Sequence, residues 1–121
     1  MTGKWRIACL AASVFYGLGA MAFQLGYVRG TGHINQFTLI DMVVSVFMLG
    51  SVIGMLRCRP WGDVLNALCW AAYFAIFAAT QTYFRWLIPV PAPPGAQAAT
   101  LIGLPISLFF DAAHLRSLSQ R

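Results

Sequence analysis

Few side chains in this sequence could do chemistry, and most of them lie within or beside long apolar runs. The acids are three aspartates, Asp41, Asp63 and Asp111, and there is no glutamate. Asp41 and Asp111 lie inside apolar stretches, each about four residues from the end of a predicted span. A charge at the bilayer centre costs at least about 2.5–3.5 kcal/mol on insertion scales, and neither aspartate lies at the centre. Such a carboxylate is typical of a structural ion pair or of a site that couples to a proton or binds a cation. Asp63 begins another apolar stretch and is interpreted as a helix-terminal group, because the helix dipole favours an anion there.

Histidine and cysteine could supply metal or redox chemistry, but their spacing does not favour it. Asp111 and His114 are three residues apart and would share one helix face, which supplies two metal ligands and no third. The three cysteines, Cys9, Cys58 and Cys69, form no C-x-x-C pair. We therefore predict no metal site, no cofactor and no catalytic residue, and we favour a function other than an enzyme's.

The composition places these groups in a membrane protein. Of the 121 residues, 60% are hydrophobic and 9% are charged, whereas a soluble domain carries about 25% charged residues. The net charge of +5 does not indicate a nucleic-acid surface, because the basic residues fall at the ends of apolar runs. There they can meet anionic lipid headgroups. We expect the lipid bilayer as a partner and no nucleic acid.

Four apolar segments are long enough to cross about 30 Å of hydrocarbon. They predict an all-α, polytopic bundle of four transmembrane helices in a single domain, residues 1–121, with turn-prone or proline-rich connections. The first segment also resembles a cleavable signal peptide, but its apolar run continues to Val28, which favours a span. The predicted spans are about 7–28, 37–56, 64–84 and 95–115.

The basic residues predict an orientation. Arg29 and Arg85 lie on one side of the predicted spans, and the other six basic residues lie on the opposite side. The positive-inside rule then places both termini in the cytoplasm. An excess of arginine over lysine, together with abundant alanine and glycine, favours a bacterial cytoplasmic membrane. The six residues are Lys4, Arg6, Arg57, Arg59, Arg116 and Arg121.

Placing the polar residues by depth predicts two layers, each a candidate site. In the outer layer, Asp41 forms a structural ion pair with Arg29 or Arg85, or it serves as a binding or coupling carboxylate together with Gln24 and Gln81. Whether either layer converges depends on how the helices are rotated. The inner layer consists of Asn66, Asp111 and His114.

Small residues recur at helical spacing on three of the spans. Helices in a bilayer associate through such residues because they allow close approach of the backbones. Packing within the bundle and docking of a partner subunit are both consistent with the pattern. The residues are Gly50 and Gly54, then Ala67, Ala71, Ala75 and Ala79, and finally Gly103 and Ser107.

Three functions remain open. The first is an accessory or assembly subunit, or a structural homo-oligomer, whose partner is another membrane subunit or itself. The second is an oligomeric small transporter or flippase with Asp41 as its carboxylate, and the third is a membrane-embedded enzyme acting on lipid or quinone. The size and the number of spans are similar to those of small multidrug-resistance exporters, but the glutamate of their first span is missing here, so we assign no family.

Overall fold

The computed structural model describes residues 3–32, 36–81 and 94–120. Over these residues the chain forms four α-helices, each long and apolar enough to cross a membrane. This result confirms the predicted all-α architecture of four helices and is the arrangement expected of an integral membrane protein. The helices are α1 (Gly3–Thr31), α2 (Gln36–Leu56), α3 (Pro60–Ala79) and α4 (Pro94–Ser119).

The third helix differs most from the predicted span of residues 64–84. It begins at Pro60, because proline has the backbone angle of a first helical residue and lacks only an N–H that would be unpaired there. Its last turn is closed by Thr80, whose hydroxyl donates to the Ile76 carbonyl at 2.8 Å. The predicted end of this span and the proline-rich connection after it lie outside the described residues.

The helices pack in chain order, α1 on α2, α2 on α3 and α3 on α4. Large side chains bridge α1 and α4. The rings of Trp5 and Phe109 are 5.2 Å apart, and the Tyr16 hydroxyl donates to the Ala99 carbonyl at 3.0 Å. Aromatic side chains fill much of the bundle interior, namely Tyr16, Trp70, Tyr73, Phe77 and Phe110.

A close crossing of glycines fixes the hairpin between α2 and α3. The connecting turn contains Cys58 in the left-handed region, at a φ of 54°. Gly54 precedes this turn and Gly62 follows it. A Cβ atom added to Gly54 would lie 2.7 Å from the Cα of Gly62. Because only glycine permits this approach at both positions, the two helices are held in contact at the end that carries the chain's N-terminus.

Candidate functional site

The Asn66 side chain connects all four helices in the bundle interior. Its Nδ2 donates to the Ser13 hydroxyl on α1 at 3.0 Å and to the Ser51 hydroxyl on α2 at 2.9 Å. Its Oδ1 lies 2.7 Å from Nε2 of His114 on α4 and accepts from the Cys9 thiol at 3.2 Å. We call these five residues the Asn66 network.

The amide and the two hydroxyls of the Asn66 network all have hydrogen-bond partners. Because an amide oxygen can only accept, the arrangement requires the His114 ring to carry a proton on Nε2. The hydroxyl of Ser13 donates to the Cys9 carbonyl at 2.7 Å, and that of Ser51 donates to the Met48 carbonyl at 2.6 Å. Asn66 is 0% exposed and His114 is 2% exposed, so the network gives a substrate no access in this conformation.

An ion pair caps the network on the side of the hairpin turn. Arg6 Nη1 on α1 lies 3.1 Å from the Asp63 carboxylate on α3, and Nη2 donates to the Met55 carbonyl near the end of α2 at 2.9 Å. One guanidinium therefore joins the start of α1, the end of α2 and the start of α3. The carboxylate stands in the first turn of α3, where the helix dipole also favours it.

In the predicted outer layer, an amide holds the Asp41 carboxylate. Nε2 of Gln24 on α1 donates to Asp41 Oδ2 on α2 at 2.7 Å, and both residues are buried. Arg29 is exposed at the end of α1, and within the described part of the chain it forms no ion pair with Asp41. Arg85, the other predicted cation, lies outside the described residues.

The rest of the predicted outer layer lies between α3 and α4. Gln81 donates to the Thr100 hydroxyl at 2.6 Å, a contact with α4 rather than with α2. Between the two pairs, the hydroxyls of Ser45 and Tyr73 lie 2.7 Å apart. Ser45 and Tyr73 were not predicted. The signal for Ser45 was its spacing of four from Asp41, which puts both on the same face of α2.

Asp111 lies apart from the Asn66 network although it is only three residues from His114. It is half-buried, and among the described residues it forms no hydrogen bond and no ion pair. Asn66 and His114 of the predicted inner layer therefore meet, and Asp111 does not join them. Within the ranges described, no three potential metal-ligating side chains come together.

The structure divides the predicted small-residue stripes between the bundle interior and its surface. Gly54, Ala67, Gly103 and Ser107 are buried, and a Cβ atom on Gly103 would lie 2.5 Å from the Phe77 ring. The remaining small residues are not packed in this way. No atom lies within 4 Å of a Cβ atom added to Gly50. Ala79 is half-buried, whereas the other two alanines of this stripe, Ala71 and Ala75, are exposed.

Cys9, Ser13 and Ser51 belong to the Asn66 network but were not predicted to. Their small side chains resemble packing residues in the sequence. A serine in a membrane helix can donate to its own helix and still accept from a neighbour, and the two serines do so here. This ability to donate and accept at once is what could have identified the two serines from the sequence.

Comparison with known proteins finds no matching family model, no similar curated protein and no similar solved structure. Because a fold alone does not specify a function, the function has to be argued from the residues and their geometry.

Proposed function

We propose that the protein is a small subunit of a membrane assembly that docks its partner within the bilayer. Its location is the bacterial cytoplasmic membrane, with both termini on the cytoplasmic side, in keeping with the distribution of its basic residues. The observation that carries the proposal is the outward set of small residues, Gly50, Ala71 and Ala75. Small residues on a lipid-facing surface allow another helix to approach closely.

The use of polar groups inside the bundle supports the same conclusion. The buried polar side chains of Asn66, His114 and Asp41 are engaged with each other or with neighbouring helices of the same chain. The connection between α2 and α3 is a tight turn. Recognition of a partner therefore depends on the membrane-facing surfaces of the helices.

The test is to enlarge the outward alanines of α3 and to follow the composition of the complex. The variant Ala71→Leu/Ala75→Leu fills the small face without touching the core, because both residues are exposed. The matched control is Ala8→Leu/Ala11→Leu, the same change at two exposed positions of α1. The assay is native mass spectrometry of protein purified from its own membrane in mild detergent.

We expect the unaltered protein to carry a stoichiometric subunit, which the α3 variant loses and the α1 variant keeps. The subunit is either a different protein or a second copy of this chain. A monomer in the unaltered sample contradicts the proposal. Equal retention of the subunit by both variants would show that the alanine face of α3 is not the docking surface.

A second candidate function is an oligomeric transporter or flippase, and one observation favours it. Asp41 is buried and held by Gln24, with no cation on its carboxylate among the described residues. A buried carboxylate without a cation is suited to take up a proton or a cationic group. The variant Asp41→Asn keeps the shape and the hydrogen bond but removes the charge.

The transport function predicts that Asp41→Asn abolishes proton flux in proteoliposomes, followed with a pH-sensitive dye inside the vesicles, while assembly and helix content stay unchanged. The control is Gln81→Leu, which removes the amide that contacts Thr100 on α4. Flux that persists in Asp41→Asn eliminates the coupling role. Loss of folding in this variant would assign Asp41 to the structure instead.

A further inference from the structure

All five leucines of α4 fall on one seam of six positions, and Asp111 is the fourth of these positions. Successive positions are separated alternately by three and four residues, which is the heptad spacing of helices that pack along their length. We call this set the leucine seam. It consists of Leu101, Leu104, Leu108, Asp111, Leu115 and Leu118.

The bundle covers the leucine seam only in part, with Leu104 packed against the core. Leu101, Leu108 and Leu115 are 50%, 55% and 57% exposed, and the three alternating positions are half-buried. The helix packs into the bundle with a neighbouring face that includes Phe110 and His114. A second helix could therefore lie along the seam without disturbing the core.

The contacts of α4 with α3 fix the level of Asp111 in the bundle. His114 is paired with Asn66, and the Phe110 ring lies 5.4 Å from that of Trp70. Asp111 is therefore level with a point six to ten residues after Pro60, which is about 9–15 Å along the helix. Ser119 lies at the same end of the bundle as Pro60, and counting eight residues back from it also gives about 12 Å. The carboxylate therefore lies about two helical turns inside this end of the bundle, within the apolar run of α4.

A carboxylate at this depth calls for a cation that this chain does not supply. Among the described residues Asp111 has no ionic partner. The basic residues of the sequence lie near the ends of the spans or in the connections between them. A second copy packed in parallel along the same seam would place Asp111 opposite Asp111, and like charges in facing heptad positions repel.

We propose that the leucine seam binds a transmembrane helix of a different protein, and that a lysine or arginine of that helix pairs with Asp111. This inference rests on the proposed function and specifies the chemistry of the partner. Leucine packing along the seam supplies the contact area, and the ion pair fixes the register, as a single polar residue does in a coiled coil. The exposed alanines Ala71 and Ala75 lie on α3, which packs directly beside α4.

The experiment uses the full chain in phosphatidylcholine vesicles and synthetic transmembrane peptides as probes. The peptides have about 22 leucine and alanine residues. One has no charge, and the others carry a single lysine either level with Asp111 or one helical turn nearer to either end. Binding is measured by energy transfer between a labelled peptide and the labelled protein.

We expect the peptide with the level lysine to bind roughly 3- to 15-fold more tightly than the uncharged one, the range that one interhelical polar contact gives in a membrane. The variant Asp111→Asn should bind all peptides alike. The matched control is the exchange Asp111→Ala/Ala112→Asp, which keeps the net charge but turns the carboxylate about 100° around the helix. It should also lose the preference.

Equal binding of all peptides by the unaltered protein overturns the inference, and so does a preference that survives in Asp111→Asn. Self-association of the unaltered protein that the peptides compete away would show that a second copy occupies the seam, which also overturns the inference. The comparison of peptides with lysine at different depths needs only the unaltered protein. A variant that fails to fold therefore does not remove the test. Absence of any subunit in protein from its own membrane contradicts the proposed function, whereas a foreign subunit retained fully by Asp111→Asn contradicts this inference alone.

Discussion

The Asn66 network gives the sharpest test of what holds the four helices together. Replacing Asn66 by alanine removes three conventional hydrogen bonds between helices, to Ser13, Ser51 and His114. Interhelical hydrogen bonds in membrane proteins contribute about 0.6 kcal/mol on average and about 1.7 kcal/mol at most. We therefore expect Asn66→Ala to lower the free energy of unfolding by about 2 kcal/mol, and by no more than about 5 kcal/mol from these bonds.

Two further variants separate the hydrogen bonds from the packing. Asn66→Leu restores side-chain volume but supplies no polar atom, so a loss similar to that in Asn66→Ala identifies the hydrogen bonds rather than a cavity as the cause. Ser107→Ala is the matched control, because Ser107 is fully buried and its hydroxyl donates to the Leu104 carbonyl of its own helix. Its removal should change the free energy of unfolding by less than about 0.5 kcal/mol.

The assay is reversible unfolding in mixed micelles of dodecylmaltoside with increasing dodecyl sulfate, followed by far-ultraviolet circular dichroism. The reasoning is refuted if Asn66→Ala and Ser107→Ala have the same free energy of unfolding within experimental error. It is also refuted if Asn66→Leu is as stable as the unaltered protein, since an apolar side chain would then replace a connection between four helices without loss.

Two other expectations concern the end of the bundle at the hairpin turn, and the same unfolding assay measures both. Gly62→Ala should lower the free energy of unfolding by about 1–3 kcal/mol, because its Cβ atom would overlap the Gly54 backbone. Gly50→Ala, with no atom within 4 Å of the added carbon, should not lower it, and equal losses would contradict this packing. Arg6→Gln and Asp63→Asn should show a coupling energy of about 1 kcal/mol in a double-mutant cycle, and strictly additive losses would mean that the ion pair contributes nothing.

The four helices were predictable because a long apolar run has few alternatives in a bilayer. Backbone groups in hydrocarbon must bond within the segment, so each run of about 20 apolar residues specifies a helix without reference to its neighbours. The depth of each residue in the membrane follows from its position within such a run, counted from the end of the run. Asn66 and His114 were therefore expected at one level, and Asn66 Oδ1 lies 2.7 Å from His114 Nε2.

Rotation about the helix axis was not predictable, and it decides which residues form a site. Positions three apart differ by about 60° around a helix and positions four apart by about 40°. The first difference is enough to place His114 in the interior and to leave Asp111 on a flank. The second accumulates along the alanines of α3, so that Ala67 is buried and Ala75, two steps later, is exposed.

The described polar groups divide between the bundle interior and its surface. In the described interior, amides and hydroxyls satisfy one another, and even the Asp41 carboxylate has Gln24 as a donor. On the described surface, α4 presents a leucine seam whose one acid has no partner about 12 Å from the helix end. A charged side chain within an apolar run carries an insertion cost that leucine at the same position would not. The proposed pairing of Asp111 with a lysine or arginine of a second protein would offset that cost.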